Sequence, residues 1–258
     1  MQENMSGQYK NTYIYILCKI ETPLSYNVKY EDIGLKDYKE VWNYQEKIFN
    51  RMVEEKIVAR QNGNDFRNTS PGILIFVEHP HVYTLGKNGS EKNLLLDYIQ
   101  LRAKDALFYR IDRGGDITYH GPGQIVGYPI FDIEAIGISL KEYIHRLEEA
   151  VIMTLAGYGI KAGRLEKATG VWLDADIPDR ARKICAIGVK ASRYITMHGF
   201  AFNVNTKLEY FSYINPCGFT DRGVTSLEKE LGKRQNMEEV KRRLKQNLKE
   251  VFNLQFIN

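Results

Sequence analysis

The sequence lacks several features that would place it in common functional classes. Its three cysteines, Cys18, Cys185 and Cys217, lie far apart and form no CxxC pair, which argues against a disulfide framework or a cysteine zinc site. No apolar run approaches the roughly 20 residues that span a bilayer. Residues 1–10 also lack the apolar segment of a secretory signal. These absences predict a cytoplasmic protein with no membrane partner.

Strong charge of either sign is also missing. The 258 residues carry a formal net charge of +4, which favours acidic partners but falls short of the clustered basic stripe of a nucleic-acid binder. The 43% hydrophobic and 26% charged residues are ordinary for a folded protein. We therefore expect no nucleic-acid partner.

Hydrophobic periodicity predicts a single α/β or α+β domain. Helices are expected after the N-cap residues Asp37, Ser139 and Thr225, and an amphipathic helix near the C-terminus. Strands and helices alternate irregularly, which argues against a doubly wound sheet. The strands are predicted at residues 73–77, 82–85, 106–111, 125–133, 170–173, 183–189 and 194–204.

Residues 113–128 form the most glycine-rich stretch of the chain. Five glycines surround Arg113, Thr118, Tyr119, His120 and Gln124. Glycine lets the backbone approach a bound group closely, so this composition predicts a loop that encloses a ligand. The alternative is a glycine-rich hairpin that binds nothing.

Among the cysteines, Cys217 is the best candidate nucleophile because it lies between Pro216 and Gly218 in a turn-like segment. Cys185 lies in an apolar strand pattern, where cysteine usually packs as a small hydrophobic residue. A thiol needs a nearby cation or base to ionise at neutral pH, and Lys183 could supply it. Lys183 begins an apolar strand, so it is either an exposed edge lysine or part of a site. The period of two puts Cys185 on the same strand face, as a second candidate nucleophile.

The histidines allow a different interpretation. His79 and His81 would share one face of an extended segment and could bind zinc, but no third ligand is evident from spacing. His198 lies beside Gly199. A lone histidine of this type is more often structural than catalytic.

Several motifs in order resemble those of the lipoyl(octanoyl) transferases. The matching segments run from about residue 31 to about residue 232 and leave residues 1–30 as an extension with no assigned function. They are Glu78-His-Pro-His-Val-Tyr-Thr-Leu-Gly, Arg113-Gly-Gly-Asp-Ile-Thr-Tyr-His-Gly-Pro-Gly-Gln, Lys183-Ile-Cys-Ala-Ile-Gly, Thr196-Met-His-Gly-Phe-Ala-Phe-Asn-Val-Asn and Asn215-Pro-Cys-Gly.

The resemblance implies a single acyltransferase domain at 31–258, with a mixed sheet flanked by helices as in the biotin protein ligases and lipoate ligases. Such an enzyme moves an octanoyl group from acyl carrier protein to a lysine of lipoyl domains in 2-oxoacid dehydrogenase E2 subunits and glycine cleavage H protein. It uses no cofactor beyond the phosphopantetheine of the carrier, and no metal.

The resemblance also implies roles for individual residues. Cys217 would carry the acyl group as a thioester, Lys183 would lower its pKa and move protons, and His79 and His198 would support the site. The residues implied to line the acyl pocket are Arg113, Gly114, Gly115, Asp116, Ile117, Thr118, Tyr119, His120, Ala186, Ile187, Gly188, Gly199, Phe200 and Ala201.

Two departures from the family pattern and three rivals remain. One departure is that residues 1–30 extend beyond the usual start of the family. Cys185 replaces the small residue, such as alanine, that is usual there, and so adds a second thiol. The first rival is an ATP-dependent lipoate or biotin ligase, which needs no nucleophilic cysteine. The second is a non-catalytic module that binds lipoyl domains or carrier proteins. The third is a metal-binding protein that uses His79, His81 and His120.

Overall fold

A computed structural model describes residues 25–63, 70–215 and 223–258. In the described residues the chain forms twelve strands and six α-helices. The strands are β1 Tyr26–Leu35, β2 Gly72–Glu78, β3 Val82–Leu85, β4 Leu107–Arg110, β5 Ile117–His120, β6 Gln124–Ile130, β7 Gly163–Leu165, β8 Ala168–Leu173, β9 Arg182–Ser192, β10 Ile195–Asn203, β11 Gly223–Val224 and β12 Leu254–Ile257. The helices are α1 Tyr38–Gln61, α2 Tyr98–Ala103, α3 Ile133–Ile136, α4 Leu140–Ala156, α5 Leu227–Leu231 and α6 Met237–Phe252.

Two sheets organise the described strands. Nine strands form a large sheet in the order β12-β1-β2-β6-β10-β9-β8-β7, with β11 also paired to β9, and three form a small sheet in the order β4-β3-β5. The large sheet is mixed, because β1 is parallel to β2 and β12 whereas β2, β6, β10, β9 and β8 pair antiparallel. The predicted mixed sheet is confirmed.

Helices cover both faces of the large sheet. On one face α1 packs Val41, Phe49 and Met52 against Ile75 of β2 and neighbouring strand residues. The other face carries α4 and α6, which share a larger core with alternate residues of the same strands. Side chains of a strand alternate between the two faces, so β2 contributes to both cores.

The structure differs from the predicted elements at several points. β1 begins at Tyr26, so residues 26–30 belong to the sheet and not to the extension. β5 is a strand inside the glycine-rich stretch. The predicted strand 125–133 ends at Ile130, because Asp132 caps α3. The N-cap of α5 is Ser226, whereas Thr225 donates its hydroxyl proton to Glu230.

A buried ion pair joins α1 to the start of α3. The Lys56 ammonium lies 2.6 and 2.7 Å from the two carboxylate oxygens of Asp132 and 2.8 Å from Glu134, and both Lys56 and Asp132 are fully buried. Removing one partner leaves a buried charge without its counterion, which typically costs several kcal/mol.

Lys56→Met is therefore expected to lower the free energy of unfolding by about 3–5 kcal/mol in urea denaturation. On the same helix Arg51→Met breaks only an exposed pair with Glu55 at 3.8 Å, and it should cost less than about 1 kcal/mol. The double variant Lys56→Met/Asp132→Asn should recover part of the loss. Equal effects of Lys56→Met and Arg51→Met would contradict this account of the pair.

Candidate active site

A pocket lies against β5, β6, β9 and β10, with Tyr38 at the start of α1 forming one wall. The space inside it, with the open solvent at its mouth included, is about 380 Å³. Ile187, Phe200 and Val126 give it an apolar surface. The polar side chains of Arg113, His120 and His198 meet at the same pocket. The lining residues are Tyr38, Arg113, Thr118, His120, Val126, Tyr128, Ala186, Ile187, Gly188, His198, Gly199, Phe200 and Ala201.

Most of the sequence-predicted binding residues meet at this pocket. Ala186, Ile187 and Gly188 lie on β9 opposite Gly199, Phe200 and Ala201 on β10. In β5, Thr118 and His120 face the pocket, whereas Ile117 and Tyr119 lie in the core of the small sheet, because strand side chains alternate. Gly114, Gly115 and Asp116 are adjacent to the pocket but do not line it.

Glycines let the loop at Arg113 approach the large sheet. The Gly114 N–H donates to the Val189 carbonyl at 2.9 Å. A Cβ on Gly188 would lie 2.9 Å from the Gly114 carbonyl oxygen and 3.1 Å from Cδ of Arg113, closer than packed atoms allow. The absence of a side chain at Gly188 therefore positions Arg113 at the pocket.

Arg113 is buried and held by the small sheet. Its Nη2 donates to the Thr84 carbonyl at 2.7 Å and to the Thr84 hydroxyl at 3.0 Å, and its Nη1 donates to the Gly114 carbonyl at 3.0 Å. These bonds fix a positive charge at the pocket wall, where its field disfavours protonation of His120.

His79 and His120 are neutral at pH 7. Burial lowers the pKa of His79 from 6.5 to about 4, and burial with the nearby His79 lowers that of His120 to about 3. His79 lies behind the pocket wall, with Nδ1 2.8 Å from the Lys36 carbonyl and Nε2 2.9 Å from the Tyr128 hydroxyl. His120 contacts Gln124 through Nδ1 at 2.9 Å and stacks on Tyr38. Both therefore act as hydrogen-bonding groups and not as cations.

These lowered pKa values predict an acid-sensitive fold. The unfolded state takes up protons on both histidines as pH falls through 6.5, while the folded state stays neutral until about pH 4 for His79 and about pH 3 for His120. The free energy of unfolding should thus fall by about 2 kcal/mol for each histidine between pH 7 and pH 5. Urea denaturation at pH 7 and pH 5 measures this change in the free energy of unfolding. His79→Gln should make the free energy of unfolding less dependent on pH. The same wild-type stability at both pH values would contradict the prediction.

His198 has an unusual backbone conformation and contacts the half-buried carboxylate of Asp112. Its φ is +61°, a left-handed conformation that is uncommon outside glycine. Nε2 lies 2.9 Å from Asp112, which also forms an ion pair with Lys190, and these two contacts keep the pKa of Asp112 well below its usual range. With Nε2–H donating to Asp112, Nδ1 is left as an acceptor, and it has no partner among the described residues.

Sequence reasoning missed part of this site. Tyr38, Val126 and Tyr128 line the pocket, yet none of them is among the predicted binding residues. Asp112 directly precedes Arg113, and its position next to a predicted binding residue is the one feature of the sequence that could have identified it. Lys190 carried no such signal, since it falls between the predicted strands 183–189 and 194–204, whereas it lies within β9.

Lys183 lies inside the large sheet and not at an open edge. It pairs in register with Trp172 of β8 and with Val224 of β11, and its ammonium lies 4.7 Å from the Trp172 ring centroid. Gly170 on β8 has a φ of +125°, and a Cβ there would lie 2.4 Å from the Cys185 carbonyl oxygen, so only glycine fits where β8 passes this part of β9. Lys183 is three residues from Ala186 along the strand that forms the pocket wall.

Cys217 lies outside the described residues, but the chain on either side of residues 216–222 is described. On the near side the Asn215 N–H donates to the Asn93 carbonyl at 2.8 Å, and on the far side the Thr225 N–H donates to the Lys183 carbonyl at 3.0 Å. The described chain that follows residue 222 is thus hydrogen-bonded to the backbone of Lys183.

Cys185 is fully buried in the main core. β9 has a bulge at Ile184, so that Lys183 and Cys185 lie opposite two consecutive residues of β8, Trp172 and Val171. Both Ile184 and Cys185 are buried. The simple alternation used to put Cys185 on the face of Lys183 is therefore interrupted. Burial raises the pKa of the Cys185 thiol far above its ordinary value, so it is held in the unreactive protonated form.

The rival metal site finds no geometric support among the described residues. No group of three or more histidine, cysteine, aspartate or glutamate side chains there could hold a metal ion. His81 instead stacks on Tyr210 and contacts the Tyr119 hydroxyl at 2.7 Å. In the same residues no helix has the length and apolar character needed to cross a bilayer.

The fold and pocket define an α/β domain of the lipoate ligase type. The bi-partite lipoate protein ligase of Thermoplasma acidophilum superposes with a TM-score of 0.64 at 15% identity, covering 90% of this chain and 86% of that one. A lipoate-protein ligase A bound with ATP gives a TM-score of 0.60 at 16% identity, covering 91% and 88%. At such low identity these likenesses show the fold, and the predicted fold is confirmed.

Sequence comparison narrows the class. The family described as the lipoyl protein ligase A/B catalytic domain matches residues 37–249. An octanoyltransferase of Bacteroides fragilis strain YCH46 is 58% identical over 217 residues, which is 84% of this chain and 94% of that protein. Another from Christiangramia forsetii is 54% identical, covering 87% of this chain and 95% of that protein. The chain belongs to the octanoyltransferases of the lipoyl protein ligase A/B family.

Proposed function

We propose that this enzyme transfers an octanoyl group from octanoyl-acyl carrier protein to a lysine of lipoyl domains, in E2 subunits of 2-oxoacid dehydrogenases and in glycine cleavage H protein. The relatives named octanoyltransferases, 50–58% identical over most of the chain, support octanoyl transfer. The observation that supports the assignment of the site is the position of Lys183 on β9, the strand that forms the pocket wall, where it pairs with Val224 and accepts the Thr225 N–H through its carbonyl.

The reaction proceeds in two acyl transfers. The Cys217 thiolate attacks the thioester carbonyl of the donor, the bond from the carbonyl carbon to the phosphopantetheine sulfur breaks, and the leaving thiolate takes a proton from the Lys183 ammonium. An acyl-enzyme remains, with Lys183 neutral. The lipoyl-domain amine then attacks this thioester, gives its proton to Lys183, and releases the Cys217 thiolate.

The pocket suits the acyl chain rather than a charged ligand. Ile187, Phe200 and Val126 supply apolar contact, and the neutral His79 and His120 add no positive charge beyond Arg113. The donor thioester already carries the free energy for amide formation, so the reaction needs no nucleotide, metal or further cofactor. The net charge of +4 suits acidic carrier and lipoyl domains.

Intact-protein mass spectrometry tests this function. After incubation with octanoyl-acyl carrier protein and no ATP, the enzyme should gain one octanoyl mass, which peptide mapping should place on Cys217. Adding an apo lipoyl domain should move that mass to the domain. Absence of an adduct, together with ATP-dependent transfer of free octanoate, would favour the ligase alternative.

A further inference from the structure

Small residues form the part of the pocket that lies on the large sheet. Ala186 and Gly188 on β9 pair with Ala201 and Gly199 on β10. Because the side chains of a strand alternate between the two faces of a sheet, these four residues belong to the same face. All four line the pocket, and we call them the pocket floor. Their small size leaves space for an unbranched chain to lie along β9.

Lys183 marks one end of the pocket floor. A Cβ on Gly170 of β8 would lie 3.4 Å from Cε of Lys183, and the same Cβ would contact the Cys185 carbonyl oxygen. The Lys183 side chain therefore extends along the sheet to the level of Cys185, which directly precedes Ala186. The residue proposed to protonate the leaving thiol thus lies where the pocket floor begins.

Arg113 covers the other end of the pocket floor. A Cβ on Gly188 would lie 3.1 Å from Cδ of Arg113 and 3.3 Å from its Nη1, so the Arg113 side chain lies directly on the floor at Gly188. Gly86 and Gly115 border the same guanidinium, since a Cβ on either would lie 3.0 or 3.3 Å from Nη1. Glycine at these three positions therefore allows the Arg113 side chain to occupy this place.

The loop that carries Arg113 is fastened to β9. The Gly114 N–H donates to the Val189 carbonyl at 2.9 Å, and Asp112 forms an ion pair with Lys190. Arg113 itself is buried, and its guanidinium is hydrogen-bonded to the small sheet. A methylene chain that pushed past this point would have to displace the guanidinium and break these hydrogen bonds, which is costly for buried polar groups.

The distance between the two ends matches an eight-carbon acyl chain. From Cys185 to Gly188 the strand β9 rises about 10 Å, at about 3.3 Å per residue. An extended octanoyl group spans about 9 Å from its carbonyl carbon to its methyl carbon, given C–C bonds of about 1.5 Å. Its methyl end would therefore reach Arg113 when its carbonyl carbon lies beside Lys183.

We propose that the octanoyl chain lies along the pocket floor with its methyl end against the Arg113 side chain, and that Arg113 sets the longest acyl chain the enzyme accepts. This role rests on the acyl transfer proposed above and adds the residue that selects the acyl group. The volume of the side chain performs the selection, because Cδ and Nη1 cover Gly188, whereas the positive charge has no partner on an alkyl chain.

Acyl-enzyme formation with octanoyl-pantetheine and dodecanoyl-pantetheine tests this role, with kcat/KM measured by mass spectrometry over time. The wild type should use the octanoyl donor at least about tenfold better, since a fitted pocket discriminates even single methylenes about 10–200-fold. Arg113→Ala removes the side chain that covers Gly188 and should reduce this preference at least about tenfold. Both donors are measured on the same variant, so a lower overall rate does not affect their ratio.

Arg113→Met separates the volume of this side chain from its charge. Methionine is unbranched and would place its sulfur where Cδ of Arg113 lies, so it still covers Gly188 but carries no charge. Whatever its overall rate, this variant should keep the preference for octanoyl over dodecanoyl within about twofold of the wild type, because side-chain volume is conserved.

Ala186→Leu tests the position of the acyl chain independently of Arg113. Ala186 is only partly buried, so the fold should tolerate leucine, which would fill the pocket floor before Gly188. The ratio of kcat/KM for butanoyl-pantetheine to that for octanoyl-pantetheine should rise at least about tenfold. Val189→Ala is the matched control, since Val189 packs against the main core, and it should change neither ratio.

Several outcomes would overturn the role of Arg113 and the position of the chain. They are equal use of the octanoyl and dodecanoyl donors by the wild type, an unchanged ratio in Arg113→Ala or in Ala186→Leu, and an equal shift in Arg113→Met and Arg113→Ala. Acylation of the wild type by none of these donors would instead refute the proposed function.

Discussion

Cys217→Ala is expected to lower octanoyl transfer by at least about a thousandfold and to form no acyl-enzyme, because substrate positioning alone cannot replace a covalent nucleophile. The loss should appear in kcat with either octanoyl-acyl carrier protein or octanoyl-pantetheine as donor. Binding should persist, since the pocket residues Ile187 and Phe200 are unaffected.

Cys185→Ala is the matched control because it removes the other thiol near the pocket strand. Cys185 is fully buried and its burial-raised pKa keeps it protonated. We expect this variant to keep nearly all activity and to lose only about 1 kcal/mol of stability from the small cavity. Retained acylation in Cys217→Ala that disappears on adding Cys185→Ala would transfer the nucleophilic role to Cys185.

Local patterns were enough to predict most of the fold. Asp37 begins α1 and Ser139 begins α4 as their capping patterns indicate, and β2 and β3 match their apolar runs closely. β5 escaped prediction because its four residues lie among glycines that favour a loop. The bulge at Ile184 also had no signal, since extra residues in a strand depend on the register of the neighbouring strand.

The site was predictable where a motif was contiguous and less so where distant residues meet. Ala186–Gly188 and Gly199–Ala201 pair across two adjacent strands of a hairpin, so their shared pocket follows from the local sequence. Asp112 instead contacts Lys190 and His198, which are 78 and 86 residues away. No periodicity within one segment reports such contacts, because they depend on how the loop before β5 crosses the large sheet.

Lys183→Met is expected to slow acyl-enzyme formation at pH 7 by about 10²–10⁴-fold, the usual range for loss of a positioned proton donor or acceptor. Without the cation, the Cys217 thiol should ionise near the ordinary cysteine pKa of about 8.5. The rate of acylation in this variant should therefore rise with pH towards 9, whereas the wild-type rate should already have levelled off. A purely structural role for Lys183 would lower the rate equally at every pH.

Lys183→Arg separates the two duties proposed for this residue. Arginine keeps the positive charge that favours the thiolate but is not deprotonated in proteins, so it cannot take the proton of the incoming amine. Acyl-enzyme should still accumulate in this variant, because the phosphopantetheine thiolate can leave and take its proton from water, whereas the incoming amine loses its proton acceptor. Discharge to the lipoyl domain should then be the slow step, seen as a persistent octanoyl adduct by mass spectrometry. The Trp172 ring beside the Lys183 ammonium can also accept a guanidinium, which makes the substitution compatible with the site. Normal discharge in Lys183→Arg would show that another group, or water, removes the proton of the amine.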